Sequence, residues 1–350
     1  MTRRSTPTSS STSSHTRRRL ILGRTAGVVL GLVALALAVL VSVAVGSKQI
    51  PLDQVWQALT GAGLAEDRTV IFELRLPRTL IAIAVGAALG VAGMLMQALT
   101  RNPLADPGIL GVNSGAMFAV ALGVGFFGAS SMNAIVWCAL IGAFLAAVAV
   151  YAVGSAGRSE QGNERLTLAG VALGAVLAGV TSALILSDAT TFDQLRVWQA
   201  GSVAGRLLSD LTVVVPFLLV GAALALVASG PLNAIALGDD VARGLGTRVG
   251  LVRVIVVLAV TLLAGGATAI AGPVAFIGLM TPHIARWIVG VDQRWILVMS
   301  MICAALLMVA SDVVGRVIAR PQEIPVGIVT AFVGAPVLMV LVRRRRASAS

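Results

Sequence analysis

Long uncharged apolar runs recur along the whole chain and constrain its fold more than any other feature. A helix needs about 20 apolar residues to cross the hydrocarbon core of a bilayer. A crossing segment must also satisfy its own backbone hydrogen bonds, which an α-helix does. The runs predict spans near 25–46, 79–100, 107–128, 132–157, 166–187, 211–230, 250–270, 272–290, 295–313 and 324–342. We therefore predict an all-α, polytopic membrane protein with about ten transmembrane helices.

The composition supports a fold that is solvated by lipid. Hydrophobic residues make up 57% of the chain and charged residues 12%, whereas a soluble domain carries about 25% charged residues. The span count is ambiguous between Arg253 and Arg286, where the uncharged run is too long for one crossing and short for two. Gly272-Pro273 is the natural break in that run. We expect two short spans there.

The net charge of +11 reflects basic clusters at the two ends of the chain. These clusters flank apolar runs, so the preference of cytoplasmic segments for Lys and Arg explains them better than nucleic-acid binding does. An even number of spans then places both termini in the cytoplasm. We predict a disordered basic cytoplasmic arm over 1–24, a ten-span domain over 25–345 and a cytoplasmic tail over 346–350, because Ser, Thr and Arg dominate the arm and cannot build a core.

The sequence contains no recognisable catalytic or metal-binding motif. Cys138 and Cys303 lie inside apolar runs, and no Cys/His spacing typical of a metal site is present. A phosphate-binding G-x-x-x-x-G-K-[ST] loop is also absent. We predict that the chain is not an enzyme, has no catalytic residues or metal ligands, and binds no cofactor.

Basic residues near the predicted outer face have two interpretations. Arg75 and Arg78 bracket Pro77 just before the second span, and Arg316 and Arg320 follow the ninth. They could anchor helix ends at the interface. They could instead form a basic docking surface for an acidic soluble partner, which charge complementarity would steer.

Three further segments also have two interpretations each. The inner segment 231–253 is either a solvated connector or a contact for a cytoplasmic subunit. The turn 101–107 owes its Asn and Asp either to turn chemistry or to a gate at the inner mouth of a pathway. The amphipathic segment 188–206 either lies along the membrane interface or forms a wall of a substrate entrance.

Polar residues inside the spans include Gln97, Asn113, His283 and Asp312. A proton relay needs several ionisable groups that face one another, and these residues offer few. We expect Thr281-Pro282-His283 to bend its span, with polar side chains satisfying the backbone groups that the proline releases.

Six ordered motifs resemble the permease family of ATP-binding-cassette importers for ferric siderophores, haem and cobalamin. The resemblance covers roughly residues 25–345. The motifs are R-L-P-R at 75–78, G-x-x-M-Q-x-x-x-x-N-P-L-A-D-P-x-x-L-G at 93–111, W-Q-x-G-S at 198–202, G-D-D-V-A-R-G-L-G at 238–246, G-P-V-A-F-I-G-L-x-x-P-H-I-A-R at 272–286, and Q-E-I-P-V-G-I-V-T-A-F-V-G-A-P-V at 322–337.

The resemblance implies a permease subunit in the cell inner (cytoplasmic) membrane that imports a ferric siderophore, with cobalamin or haem as the alternative cargo. It implies a homodimer or a pair with a similar permease, two cytoplasmic ATPase subunits that use ATP and Mg, and a soluble or lipid-anchored binding protein. Nucleic acid is not expected as a partner. An ion-coupled secondary transporter is disfavoured because ionisable residues are scarce in the spans.

The resemblance also implies three groups of site residues. Docking of the binding protein falls on Arg75, Arg78 and Arg316, and the inner gate on Asn102 and Leu104. Coupling to the ATPase falls on Gly238, Asp239, Asp240, Arg243, Gly244, Leu245 and Gly246.

Overall fold

The computed structural model describes residues 11–46, 48–61, 64–155 and 162–347, and within these ranges it is helical with no strands. A π-helical segment, Val70–Arg75, leads into α4, and a 3-10 turn, Pro107–Leu110, precedes α5. The α-helices are α1 Ser11–Ala44, α2 Leu52–Thr60, α3 Ala65–Thr69, α4 Leu76–Thr100, α5 Val112–Phe127, α6 Met132–Ser155, α7 Gly162–Ser187, α8 Ala189–Gln199, α9 Leu208–Ile235, α10 Asp239–Gly244, α11 Val249–Ala271, α12 Ile277–Val289, α13 Gln293–Ile318 and α14 Val326–Ala347. The all-α fold class is confirmed.

Seven helical segments in the described residues are long and apolar enough to cross a membrane. They are Ile21–Ala44, Ala65–Thr100, Met132–Gly154, Arg165–Ser187, Leu208–Ile235, Val249–Ala271 and Gln293–Ile318. The three remaining predicted spans coincide with the short helices α5 and α12 and with the apolar part of α14, Val326–Val340. The multi-span character is thus confirmed on length and composition, and the total of ten stays a prediction.

The break predicted at Gly272-Pro273 is present. Helix α11 ends at Ala271, and α12 begins at Ile277 after an extended connection. Gly272 adopts a φ of 73°, and a Cβ there would overlap the carbonyl oxygen of Trp198. Glycine is required at this position both for its backbone conformation and for the close approach of another chain segment.

Helices α4, α11 and α13 form the buried centre of the bundle. Helix α4 packs against α13, α11, α12 and α9. Its glycines allow backbones to approach closely, because a Cβ at Gly93 would overlap the backbone of Gly278 and one at Gly90 would overlap Ala304 and the backbone of Ser300. Small residues at helix contacts are typical of membrane bundles. By contrast, α1, α7 and α9 leave most of their apolar surface exposed.

The chain ends fall partly outside the described residues. Residues 1–10 of the predicted arm and 348–350 of the predicted tail are not among those described, and α1 already includes residues 11–24. The two ends of α4 mark the two ends of the bundle. We call them the arginine end, where α4 begins near Arg75 and Arg78, and the α10 end, where α4 stops beside α10.

Candidate functional site

A buried ionic network joins three elements at the arginine end. Arg78 Nη2 lies 2.7 Å from Asp312 Oδ1 in α13, and Arg78 Nη1 lies 2.5 Å from Glu323 Oε2 in the segment before α14. The other carboxylate oxygen of Asp312 lies 2.8 Å from Arg316 Nη2. Asp312 is therefore shared by two guanidinium groups. The two guanidinium groups balance the negative charge of this carboxylate, which is only 2% exposed.

Arg75 and Arg316 both bind the C-terminus of α1. Arg75 Nη1 donates to the carbonyls of Val43 and Ala44 at 2.8 and 2.7 Å, and Arg316 Nη1 donates to that of Ser42 at 3.0 Å. The last carbonyls of a helix lack partners within it and attract cations. The two arginines are 4% and 2% exposed. The structure thus brings the three predicted docking arginines together, but it buries two of them as partners of a helix end.

A cavity of about 330 Å³ adjoins this network. We call it the arginine cavity; its charged lining consists of Lys48, Arg75, Arg78, Arg206 and Arg316 with Glu73 and Glu323. Basic side chains therefore outnumber acidic ones around it. A basic concavity of this kind suits an anionic group on a partner.

Arg206 is one of the charged residues of this cavity, with Lys48, Glu73 and Glu323, that the sequence did not identify as site residues. It lies between α8 and α9, and its buried Nε has no hydrogen-bond partner among the described residues. Burial lowers the pKa of this guanidinium, and the charge of Asp210 opposes that effect. The sequence did contain one indication of its importance, because Lys and Arg are disfavoured on the predicted outer face, where Arg206 lies. The position lies just beyond the W-Q-x-G-S motif, so no motif singled it out.

At the α10 end, the predicted coupling segment forms an exposed short helix between two glycine turns. Gly238 and Gly246 adopt φ values of 115° and 81°, which glycine reaches without steric cost. Asp240, Arg243, Gly244 and Leu245 are exposed on the surface of this segment. Asp240 pairs within the helix with Arg243 at 2.6 Å. The segment is a compact surface feature that a partner protein could contact.

The carboxylate of Asp239, unlike that of Asp240, binds residues that lie outside α10. Its Oδ2 lies 2.9 Å from Arg253 Nη2 in α11, and its Oδ1 accepts a hydrogen bond from Arg101 at the end of α4. Arg101 is the residue immediately before the N-P-L turn, and its φ of 51° is unusual for a residue with a side chain.

The N-P-L turn is held by the Asx hydrogen bonds that its sequence predicts. Asn102 Oδ1 accepts from the amide of Leu104 at 3.0 Å, and Asp106 Oδ1 accepts from the amide of Gly108 at 2.8 Å. The side chains of Asn102 and Leu104 are exposed. Turn chemistry is confirmed, and the gating role of these two residues stays a prediction.

Gln97 binds backbone carbonyls of α12 next to Pro282, which lies inside that helix. Pro282 has no amide hydrogen, so the carbonyl of Gly278 four residues earlier loses its helical donor. Gln97 Nε2 lies 3.4 Å from that carbonyl and 3.0 Å from the carbonyl of Leu279, and its Oε1 accepts from Arg286 Nη2 at 2.7 Å. The expectation that polar side chains satisfy the released backbone groups is confirmed for Gln97.

A second hollow, of about 460 Å³, lies between α5 and α7. Asn113 and Ser114 of α5 and Thr181 and Ser182 of α7 contribute polar groups to a wall that is otherwise apolar. Segment 188–206 reaches it through Gln199, whereas Leu195 and Trp198 are buried. These two large apolar side chains therefore pack inside the protein instead of lying along a membrane interface. Within the described residues, no cluster of His, Cys, Asp or Glu could hold a metal ion.

A multi-span helical bundle with a basic cavity at one end and an exposed short helix at the other is an arrangement expected of a membrane transport subunit. The chain belongs to the FecCD transport family, whose family model matches residues 34–344. The predicted family is thereby confirmed, and the chain is a multi-pass membrane protein.

Two curated relatives and one solved structure resemble most of the chain. It is 49% identical over 314 residues to the ferric enterobactin transport system permease protein FepD of Escherichia coli K12, covering 90% of this chain and 94% of FepD. It is 42% identical over 307 residues to the probable siderophore transport system permease protein YfiZ of Bacillus subtilis, covering 88% and 92%. A structure of an inward-facing conformation, assigned to a metal-chelate type ABC transporter, superimposes with a TM-score of 0.81 at 30% identity, covering 91% of this chain and 98% of the other.

Proposed function

We propose that this chain is the permease subunit of an ATP-driven importer and carries a ferric siderophore across the cytoplasmic membrane. The observation that carries the proposal is 49% identity over 90% of the chain to a ferric enterobactin permease. Haem is the second candidate, since the hemin permease HmuU of Yersinia pestis is 34% identical over 90% of the chain. The higher identity favours a siderophore.

In this function the chain crosses the membrane ten times, with both termini in the cytoplasm. The short helices α5 and α12 and the apolar part of α14, Val326–Val340, would complete the count. Helix α5 has 16 residues, or about 24 Å at 1.5 Å per residue. The 3-10 turn before α5 and the extended stretch before α12 lengthen these two crossings. Both stretches pack inside the bundle, where irregular backbone is tolerated at membrane depth.

The hollow between α5 and α7 supports assembly as a pair of permease subunits. Helix α7 is among the least buried helices of the described chain, yet it contributes Thr181 and Ser182 to this hollow. A second copy, or a similar permease, would cover α7 and close the hollow into a path. Small and apolar side chains around it would suit a bulky chelate.

The arginine cavity is the proposed docking site for a soluble or lipid-anchored binding protein. Arg78 and Arg206 would meet acidic side chains of that protein, and the buried Arg75 and Arg316 would hold the site in shape and add positive potential. Opposite charges at such a rim raise the association rate.

At the α10 end, the segment from Gly238 to Gly246 would contact two cytoplasmic ATPase subunits, and Asn102 and Leu104 would gate the inner mouth. ATP and Mg would be used by those subunits alone, because this sequence lacks a phosphate-binding loop. The permease would supply the path and perform no chemistry.

Reconstitution into proteoliposomes tests the proposal. The permease, its ATPase and its binding protein should import ferric enterobactin labelled with radioactive iron when ATP is supplied on the ATPase side, and vanadate should stop the import. Uptake that follows a proton gradient without the ATPase would overturn the proposal. Mass spectrometry of the ligand held by the cognate binding protein would identify the chelate.

A further inference from the structure

The two adjacent aspartates at the start of α10 have different surroundings. The side chain of Asp240 is 90% exposed, and its partner Arg243 belongs to the same short helix. The side chain of Asp239 is 22% exposed, and both of its carboxylate oxygens bind arginines of other elements. An ion pair between exposed groups contributes little. The pair of Asp239 with Arg253 is partly buried and therefore less screened by salt, whereas the side chain of Arg101 is 40% exposed.

The two arginines that bind Asp239 tie α10 to the centre of the bundle. Arg253 lies in α11, and Arg101 directly follows the last residue of α4. Helices α4 and α11 pack against each other and are the most buried helices of the described chain. One carboxylate therefore connects the exposed helix to both of them.

This connection ends beside the proposed gate. Arg101 is followed at once by Asn102, whose side chain holds the amide of Leu104. The φ of 51° at Arg101 places it in the left-handed region, which residues with a Cβ adopt when their neighbours hold them there. A displacement of α10 that carried Asp239 along would pull on Arg101 and on the turn after it.

We infer that Asp239 is a positioning residue that transmits movement of α10 to the inner ends of α4 and α11, whereas Asp240 acts only within α10. This inference rests on the proposed function, in which an ATPase contacts α10. Two arginines fix the carboxylate from two directions, so α10 cannot shift without moving them or breaking the bonds. The exposed Val241 and Leu245 leave an apolar surface of α10 available to the ATPase.

The matched variants Asp239→Asn and Asp240→Asn test this difference in the assembled complex in proteoliposomes. Both remove one charge and keep the side-chain shape. For Asp239→Asn we expect the amount of ferric enterobactin imported per ATP hydrolysed to fall about fivefold or more, the usual range for a coupling between sites. Asp240→Asn should lower this ratio much less than Asp239→Asn does, because the bond that it breaks lies within α10, and equal losses would contradict the inference. Asp239→Glu keeps the charge and should therefore retain most of the wild-type ratio.

The ATPase subunit should co-purify with Asp239→Asn as it does with the wild type. If it does not, Asp239 holds the partner directly and the inference is wrong. A wild-type ratio of import to hydrolysis in Asp239→Asn would overturn it as well. Should the wild-type complex itself show no ATP-dependent import, the proposed function fails instead.

A double-mutant cycle with Arg101→Gln adds a test that does not depend on a single variant. Arg101→Gln should lower the import ratio. Adding Asp239→Asn to it should cause a smaller loss than Asp239→Asn causes in the wild type, because the bond to Arg101 is already broken and only the bond to Arg253 remains to be lost. Losses that simply multiply would show that the two residues act separately and would contradict the inference. If Asp239→Asn does not fold, Arg101→Gln alone must still lower the ratio.

Discussion

Arg316 shows how one side chain can stabilise several parts of the arginine end. It binds the carbonyl of Ser42 and the hydroxyl of the same residue, and it shares Asp312 with Arg78. The sequence placed Arg316 beside the end of a span. It could not show that the side chain turns inward to the C-terminus of another helix, because that contact joins residues 274 positions apart.

The Arg316→Leu variant should lose stability because it leaves a buried carboxylate with one partner fewer. Breaking a buried ion pair costs about 3–5 kcal/mol, so we expect a clear fall in the thermal unfolding temperature of the detergent-solubilised protein. Arg320→Leu is the control, since the residue is exposed and, in the part of the chain that the structure describes, its side chain donates to the carbonyl of Gly46 alone. Equal effects of the two changes would contradict the role assigned to Arg316.

The R-L-P-R motif predicted only part of what Arg75 and Arg78 do. It identified Arg75 and Arg78 as a functional pair flanking Pro77. Their different environments became visible only in the fold, where Arg75 binds the end of α1 and Arg78 reaches Asp312 and Glu323. Pairings over such distances in the chain leave no local pattern.

Among the helices, α4 depends on close contact through its glycines. At Gly93 an added Cβ would meet the backbone of Gly278 in α12, and neither chain can move aside without separating the two helices.

The Gly93→Ala variant should therefore destabilise the bundle by about 1–3 kcal/mol, the range for an overpacked core. Gly250→Ala is the matched control in α11, because a Cβ there meets nothing within 4 Å. The control should be neutral or slightly stabilising, since alanine favours helix more than glycine does. Thermal unfolding of the purified variants measures both, and an unchanged Gly93→Ala protein would refute the close contact.

Helical spans were predictable to the extent that they are long and uncharged. All seven long segments overlap predicted spans. The segments Leu52–Thr60 and Ala65–Arg75, which form α2, α3 and the π-helical segment, were not predicted as helices, because short helices that carry charges give no apolar run. Val55, Ala58 and Ile71 of these segments are buried in a small cluster with Val43 of α1, and a single sequence does not reveal that packing.

For the whole molecule, the positive charge around the arginine cavity is the feature that acts on an approaching partner protein at the longest distance. Arg206 lines this cavity with an unsatisfied buried Nε, whereas Arg196 in α8 is exposed and pairs with Asp193. The two arginines lie ten positions apart but in very different surroundings.

If the binding protein docks on the cavity, Arg206→Glu should weaken its affinity about tenfold or more at low salt. The difference from the wild type should shrink as ionic strength rises, because salt screens charges. Arg196→Glu makes the same charge change away from the cavity and should have a much smaller effect. Binding to the permease in nanodiscs over a salt series measures this, and indistinguishable variants would exclude the cavity as the docking site.

The sequence alone was enough to identify the family, but it did not reveal the ion pairs that connect distant residues. Six ordered motifs sufficed to identify the transport family over nearly the whole chain. The sharing of Asp239 between Arg101 and Arg253 was not predictable, because motif comparison treats the aspartates at 239 and 240 alike and only their surroundings distinguish them.

The bond from Gln97 to α12 has a mechanical consequence. A proline usually gives a membrane helix a place to flex, but here the side chain of a neighbouring helix fills the gap in the hydrogen-bond ladder at Pro282. Helices α4 and α12 are thereby fastened into one stiff unit. We expect the conformational change during transport to occur instead at the connection 272–276 between α11 and α12. This connection begins with Gly272, and no series of helical hydrogen bonds has to be broken there.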